Sequence, residues 1–220
     1  PSMTRLNASG NEVSLIRLYR NATQLVALFA IPSALLFAYF PEQVLSAWIG
    51  NAAIAEKAAP VLTLYALGNG ILAVGSFPYY LQFAKGDVKL HMIGNCLFAL
   101  ILIPASILAT LEYGAIGAGW SWLGANIVYF LVWVPFVHES LAKNLHYKWL
   151  IKDVFPIALM TVLAATITKG LVDFPQSRHL KVATIIIIGL QMLITASASS
   201  SWMREAVLSK CREYLLRKKK

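Results

Sequence analysis

Charge is scarce in this chain. Of its 220 residues only 13% are Asp, Glu, Lys or Arg, against about 25% in an ordinary soluble domain. Acidic residues are scarcest: 10 Asp and Glu stand against 19 Lys and Arg, giving a formal net charge of +9. Cysteine is limited to Cys96, inside an apolar run, and Cys211, in a basic tail. Two thiols expected at different depths exclude a disulfide scaffold, and neither has metal-ligating neighbours. A signal peptide is also lacking, and the chain opens on Pro1 rather than Met, so it reads as a piece of a longer protein. These shortages exclude a water-soluble domain and a disordered chain. Apolar residues are what the chain has in plenty: 58% are hydrophobic and the mean hydropathy is +0.65. That is the composition of an integral membrane protein.

The spans lie where charge is missing. A hydrocarbon core about 30 Å thick needs roughly 20 helical residues. Arg20 to Glu42 encloses 21 uncharged residues, Lys57 to Lys85 27, Lys89 to Glu112 22, Glu112 to Glu139 26, and Lys181 to Arg204 22. A sixth run, Asp153 to Lys169, encloses 15 and becomes long enough if Lys169 snorkels outward. The runs are continuously apolar, without the alternation of a membrane β-strand, and helix satisfies every backbone group in lipid. The expected fold is therefore all-α and polytopic: a six-helix transmembrane bundle with spans near 22–40, 61–84, 91–111, 115–137, 154–172 and 181–203. Segments 41–60, 85–90, 112–114, 138–153 and 173–180 are expected to link them. Segment 1–21, with Val13 and Ile16 among polar residues, reads either as an amphipathic piece lying in the interface or as a plain loop. Residues 22–203 form the membrane lobe and 204–220 a basic tail.

Orientation follows from where Lys and Arg collect. Fifteen of the 19 fall on one side of the expected layout, in 1–21, 85–90, 138–153 and the tail; Lys57, Lys169, Arg178 and Lys181 fall on the other. Both termini are thus expected in the cytoplasm, which an even number of spans allows. The basic tail suits anionic headgroups rather than nucleic acid. Trp48, Trp149 and Trp202 stand near expected span ends, as an aromatic belt would.

The spans hold more than a passive anchor needs. Gln24, Asn69, Gln82, Asn95, Asn126 and Gln191 are amides at membrane depth, and Pro32, Pro78, Pro104 and Pro135 permit kinks. Each amide is either interhelical glue or the lining of a wet cavity. Asn69, Tyr80, Gln82, Asn95 and Asn126 are the substrate-cavity candidates, and Asn69, Gly70, Phe77 and Tyr80 fall on related faces of one helix. Tyr79 and Tyr80 also suit an interfacial anchor. Lys85 and Lys89 are candidates for a basic cytoplasmic mouth, or topology determinants only. Gly114, Ala115, Ala118 and Gly119, and the run TASASSS at 195–201, read as close-packing faces. Glu112, Asp153 and Asp173 sit at expected span ends, so no carboxylate pair is expected in the membrane. His91, His138, His146 and His179 show no ligand spacing; His138 and His146 are eight residues apart in an expected loop. Neither a metal site, nor a nucleophile elbow, nor a phosphate-cradling loop is legible. The chain is accordingly read as no enzyme and as carrying no cofactor.

Three stretches, in order, carry a family likeness: PEQVLSAWIGN (41–51), FPYYLQFAKGDVKLHMIGN (77–95) and YGAIGAGWSWLGANIVYF (113–130). Together they resemble the carboxy-terminal half of the polysaccharide-biosynthesis (O-antigen-type) flippases of the multidrug/oligosaccharidyl-lipid/polysaccharide transporter superfamily. The likeness runs over essentially the whole chain, with 1–21 similar to the connector between that family's two lobes. It implies one lobe of a two-lobe secondary transporter in a bacterial inner membrane, which flips a lipid-linked oligosaccharide for surface polysaccharide assembly. It also implies alternating access, a missing amino-terminal lobe as partner, and a coupling ion, H⁺ or Na⁺, whose site cannot be assigned to a residue. A related exporter of drugs or lipid precursors shares the architecture. A membrane-embedded transferase is a third reading, and it would need a carboxylate or His pair at one depth.

Overall fold

The computed structural model describes residues 2–206, 208 and 209, and among these it contains helices and turns without a strand. Of the expected basic tail 204–220, residue 207 and everything from 210 onward, Cys211 included, lie outside the described residues. The helices are α1 (Ser2–Ala8), α2 (Glu12–Tyr39), α3 (Pro41–Ile49), α4 (Ala52–Gly75), α5 (Phe77–Lys85), α6 (Lys89–Val128), α7 (Val134–Leu141), α8 (Leu145–Trp149), α9 (Phe155–Leu171) and α10 (Arg178–Ser199). Among the described residues five helical stretches are long and apolar enough to cross a membrane: Glu12–Tyr39, Ala52–Lys85, Lys89–Leu141, Leu145–Leu171 and Arg178–Ser199. Their outward faces carry Leu100, Leu108, Leu111, Ile187 and Ile194, all well exposed. An apolar surface of that extent suits lipid, and the chain is a multi-pass membrane protein.

Local chemistry sets the helix ends. Asn11 and Asn51 cap α2 and α4, their side-chain oxygens accepting from the amides of Ser14 at 3.1 Å and Ile54 at 3.2 Å. Gly50 and Gly86 end α3 and α5 in the left-handed conformation, at φ 75° and 76°. Residues 12–21, expected to belong to a separate connector, are the first turns of α2. The expected 138–153 loop is mostly helical: it shrinks to 142–144, and a π-helical turn Leu150–Val154 joins α8 to α9. A second π turn, Tyr129–Trp133, leads into α7. Each π turn directly precedes the first turn of a helix whose second residue is proline, Pro135 or Pro156. A proline ring clashes with the carbonyl four residues back, and the wider turn relieves that clash.

The 53-residue stretch Lys89–Leu141 does not run straight. Gly114 leaves helical geometry, at φ 63° and ψ −147°. Beyond it the chain folds back on itself. Ser121 Oγ donates to the carbonyl of Ala105 at 3.2 Å, though in a straight helix these residues would stand about 24 Å apart. The rings of Phe98 and Tyr129 pack edge-to-face with centroids 5.7 Å apart. Gly94 lies against Trp133, and Gly117 against the backbone of Ala109. All four pairs are centred at residue 113 or midway between 113 and 114, as two antiparallel arms require. Only glycine readily adopts the φ/ψ of Gly114. A Cβ there would meet nothing within 4 Å, so Gly114→Ala should cost of order 1–3 kcal/mol through backbone strain alone. Denaturant titration in detergent measures it; a variant as stable as the parent would show that the reversal does not depend on this conformation.

At the far end of the bundle, Arg178 Nε donates to the Ala47 carbonyl at 2.7 Å and Nη2 to the Trp48 carbonyl at 2.8 Å, while Lys181 Nζ reaches Ser46 Oγ at 3.1 Å. Arg178 thus satisfies two of the open carbonyls at the end of α3, and the Lys181 charge sits beside them. The larger hydrophobic cluster lies at the opposite end, where Leu15, Tyr19, Leu28, Phe77, Leu81, Val134, Trp149 and Ile157 bury one another between α2, α5, α7, α8 and α9, and a smaller one gathers Phe40, Ala165, Ile188 and Met192.

Candidate functional site

Beside the larger cluster α2 presents a polar face one turn wide. Tyr19, Thr23 and Gln24 are buried and Arg20 half-buried. Across from them is Asp153, in the π turn before α9, with no exposed surface. Arg20 clamps it with two parallel bonds, Nε to Oδ2 at 2.6 Å and Nη2 to Oδ1 at 2.9 Å. The planar guanidinium fits a carboxylate in this way. Gln24 Nε2 adds a third bond to Oδ1, at 2.7 Å. The Gln24 carbonyl oxygen in turn accepts from Ser200 Oγ at 2.7 Å and the Trp202 amide at 3.0 Å. One amide therefore ties α2 to the start of α9 and to the chain end of α10. The π turn has a structural consequence here: it widens the helix and turns the Asp153 carboxylate toward α2.

A second chain of contacts adjoins the first. Tyr19 Oη lies 2.7 Å from His138 Nε2, and His138 Nδ1 lies 3.1 Å from His146 Nδ1. Either neutral tautomer of His138 satisfies both contacts: with Nδ1–H it accepts from the Tyr19 hydroxyl and donates to His146, and with Nε2–H it donates to Tyr19 and accepts from His146 Nδ1–H. Trp149 closes the group, its indole Nε1 donating to Thr23 Oγ1 at 3.1 Å. Trp149 is therefore a core residue and not part of an aromatic belt at the interface. Above both chains opens a cleft of about 1160 Å³, with Arg17, Arg20, Gln24, Lys143, Lys148 and Trp202 in its walls. A separate apolar cleft of about 430 Å³ lies between the two arms that meet at Gly114.

The residues singled out from sequence are spread more widely. Asn69, Tyr80, Asn95 and Lys89 are exposed, while Gln82 and Asn126 are buried. Tyr80 and Asn95 are linked through two rings: Tyr80 packs edge-to-face on Tyr79 with centroids 5.4 Å apart, the Tyr79 ring lies tilted against His91 at 4.3 Å, and His91 Nε2 lies 3.0 Å from Asn95 Nδ2. Asn126 Nδ2 donates to the Trp122 carbonyl one turn back, at 2.8 Å. Its Oδ1, like Gln82 Oε1, has no partner among the described residues. Lys85 pairs with Glu12 at 3.1 Å and donates to the Leu141 carbonyl, tying α5 to α2 and α7. None of these seven lines the basic cleft or the apolar cleft.

Sequence reasoning missed Arg20, Asp153, Tyr19, His138 and His146 as members of one site. Arg20 and Asp153 served as the edges of charge-free runs, and the two histidines fell in an expected loop. Ser200, placed in a packing face, is a donor to Gln24. The usable signal was Gln24, an amide one turn after Arg20. Compared with family models, with curated proteins and with solved structures, the chain finds no match.

Proposed function

We propose that this chain is one six-span lobe of a secondary transporter that flips a lipid-linked oligosaccharide across a bacterial inner membrane, both termini facing the cytoplasm. The observation that carries the reading is the buried Arg20–Asp153–Gln24 junction inside helices long and apolar enough to span lipid. An ionisable group buried in the protein within a spanning segment, as Asp153 is, is costly and is a functional-site signal rather than a feature a passive anchor needs. The reversal at Gly114 supports a sixth crossing, because it divides Lys89–Leu141 into two antiparallel arms. The basic residues Arg17, Lys143 and Lys148 share one cleft, in keeping with the charge asymmetry that sets the orientation.

The likeness of 41–51, 77–95 and 113–130 to the flippases supplies the substrate class. Asn69 and Tyr80 support it from the structure. They are eleven residues apart along α4 and α5, three helical turns, and both are exposed in the single chain. Such a face is what a second lobe would complete into a cavity.

The test is export in cells that make the full-length protein. Loss of the encoding gene should abolish surface polysaccharide and leave lipid-linked precursor in the inner leaflet. Restoring the gene with Asn69→Leu should lower the export rate roughly two- to tenfold, the worth of about one hydrogen bond in a transport barrier. The amount of protein in the membrane should not change. Normal surface glycan in the deletion strain would overturn the reading, and altered drug efflux alone would favour the exporter.

A further inference from the structure

The geometry points to a site for the phosphate headgroup of an anionic two-chain lipid in the cleft between α2, the 142–144 turn and residues 201–205. This inference does not rest on the transport reading. Arg17 and Arg20 lie three residues apart on one face of α2, and Lys143 and Lys148 face them from the turn and from α8. Two carboxylates also reach the cleft, Glu12 and Glu205. Glu12 is engaged by Lys85 at 3.1 Å. Among the described residues no carboxylate lies within 4.0 Å of Arg17, Lys143 or Lys148. Cations therefore prevail on the wall.

The floor is prepared for an anion. Asp153 holds Arg20 by Nε and Nη2, and Nη1 makes no hydrogen bond among the described residues. Arg20 thus presents one guanidinium edge that is fixed in place before any ligand arrives, and a phosphate oxygen meeting it need not order a floppy side chain. The Lys143 and Lys148 side chains would supply point charges above it. The rim says which kind of phosphate belongs here. Val13, Ile16 and Trp202 border the same cleft, and Val13 is 73% exposed. A soluble anion gains nothing from an apolar rim, whereas the glycerol and first methylenes of a lipid would cover it. Basic pockets between transmembrane helices hold anionic headgroups on this principle. Bound there, the lipid would bridge α2 and α8, the elements at the two ends of the Tyr19–His138–His146 chain.

Native mass spectrometry of the full chain in neutral detergent tests this directly. Phosphatidylglycerol should stay bound under activation that strips phosphatidylcholine of the same acyl length. The double variant Lys143→Ala/Lys148→Ala should weaken phosphatidylglycerol binding roughly tenfold or more. Lys57→Ala, a charge loss far from the cleft, should leave it unchanged. If the double variant melts at lower temperature than the parent, the exposed Arg17→Gln replaces it, with a smaller loss of binding expected. Millimolar inorganic phosphate should not displace the lipid. Equal retention of the two lipids, full affinity in the cleft variants, or displacement by inorganic phosphate would each overturn the proposal; the last would mark a site for soluble anions.

Discussion

Arg20→Leu should be the most damaging single change at the polar junction, costing about 3–5 kcal/mol of stability. Asp153 has no exposed side-chain surface, and three of the bonds to its carboxylate come from Arg20 and Gln24. Removing the guanidinium strands a buried charge with one amide for company. Asp153→Ala should fall at the lower end of the same range. The Arg20 side chain is 27% exposed, so a freed guanidinium can turn into the cleft and find water. The double variant Arg20→Leu/Asp153→Leu should recover most of the loss, because an apolar pair of similar volume leaves no charge unpaired. A denaturant titration in detergent measures all three. If the double variant is as unstable as Arg20→Leu, the damage comes from lost packing, and the ion pair is not what holds α2 to α9.

The bilayer made much of this fold legible in sequence. A spanning helix needs a fixed length and an apolar surface, so runs free of charge mark it whatever its neighbours are. The turn at 112–114 was legible for the same reason: Glu112 and Tyr113-Gly114 interrupt an otherwise apolar stretch. The site was less legible because it joins residues far apart in the chain. Arg20 and Asp153 are separated by 133 positions, and nothing in either neighbourhood records the partner. Charge spacing also fell short in a specific way. Treating each charge as the edge of a span located Arg20 and Asp153 along the chain but gave no sign that they pair and that the pairing buries Asp153 within the protein. His138 and His146 were kept apart by an expected loop that is in fact helix, and the short turn at 142–144 brings their rings together. Asn69 and Tyr80 were placed on one face by helical period alone and are both exposed in the single chain, but Phe77, assigned to the same face, is buried in the core. Gln82 and Asn126 are instead buried, a distinction that periodicity within one helix does not make.

Gly117→Leu should force apart the two arms that meet at Gly114, with a stability loss of roughly 3 kcal/mol or more, at the upper end for overpacking. The reason is what stands opposite. A side chain at 117 would run into the backbone carbonyl of Ala109, with Tyr113 Cβ 3.1 Å away. Backbone in a paired helix cannot step aside as a flexible side chain can. Gly124→Ala, seven residues on in the same arm, meets nothing within 4 Å. It should stabilise by about 0.5–1 kcal/mol, the usual gain of alanine over glycine in a helix. Opposite signs from two glycines seven residues apart, on the same face of one arm, would be hard to obtain from any arrangement but a tight hairpin. The same pair of variants bears on topology. In a chain with Cys96→Ser and Cys211→Ser, a Tyr113→Cys probe should react with an impermeant thiol reagent from outside intact cells, and a Lys143→Cys probe only after permeabilisation. Adding Gly117→Leu should weaken the first signal or spread it to both sides, because an opened hairpin no longer fixes the depth of its tip. Equal stability of the two glycine variants, or labelling of both probes from the same side, would leave Lys89–Leu141 without its second crossing. The two termini would then lie on opposite faces of the membrane, and the lobe reading would fail with them.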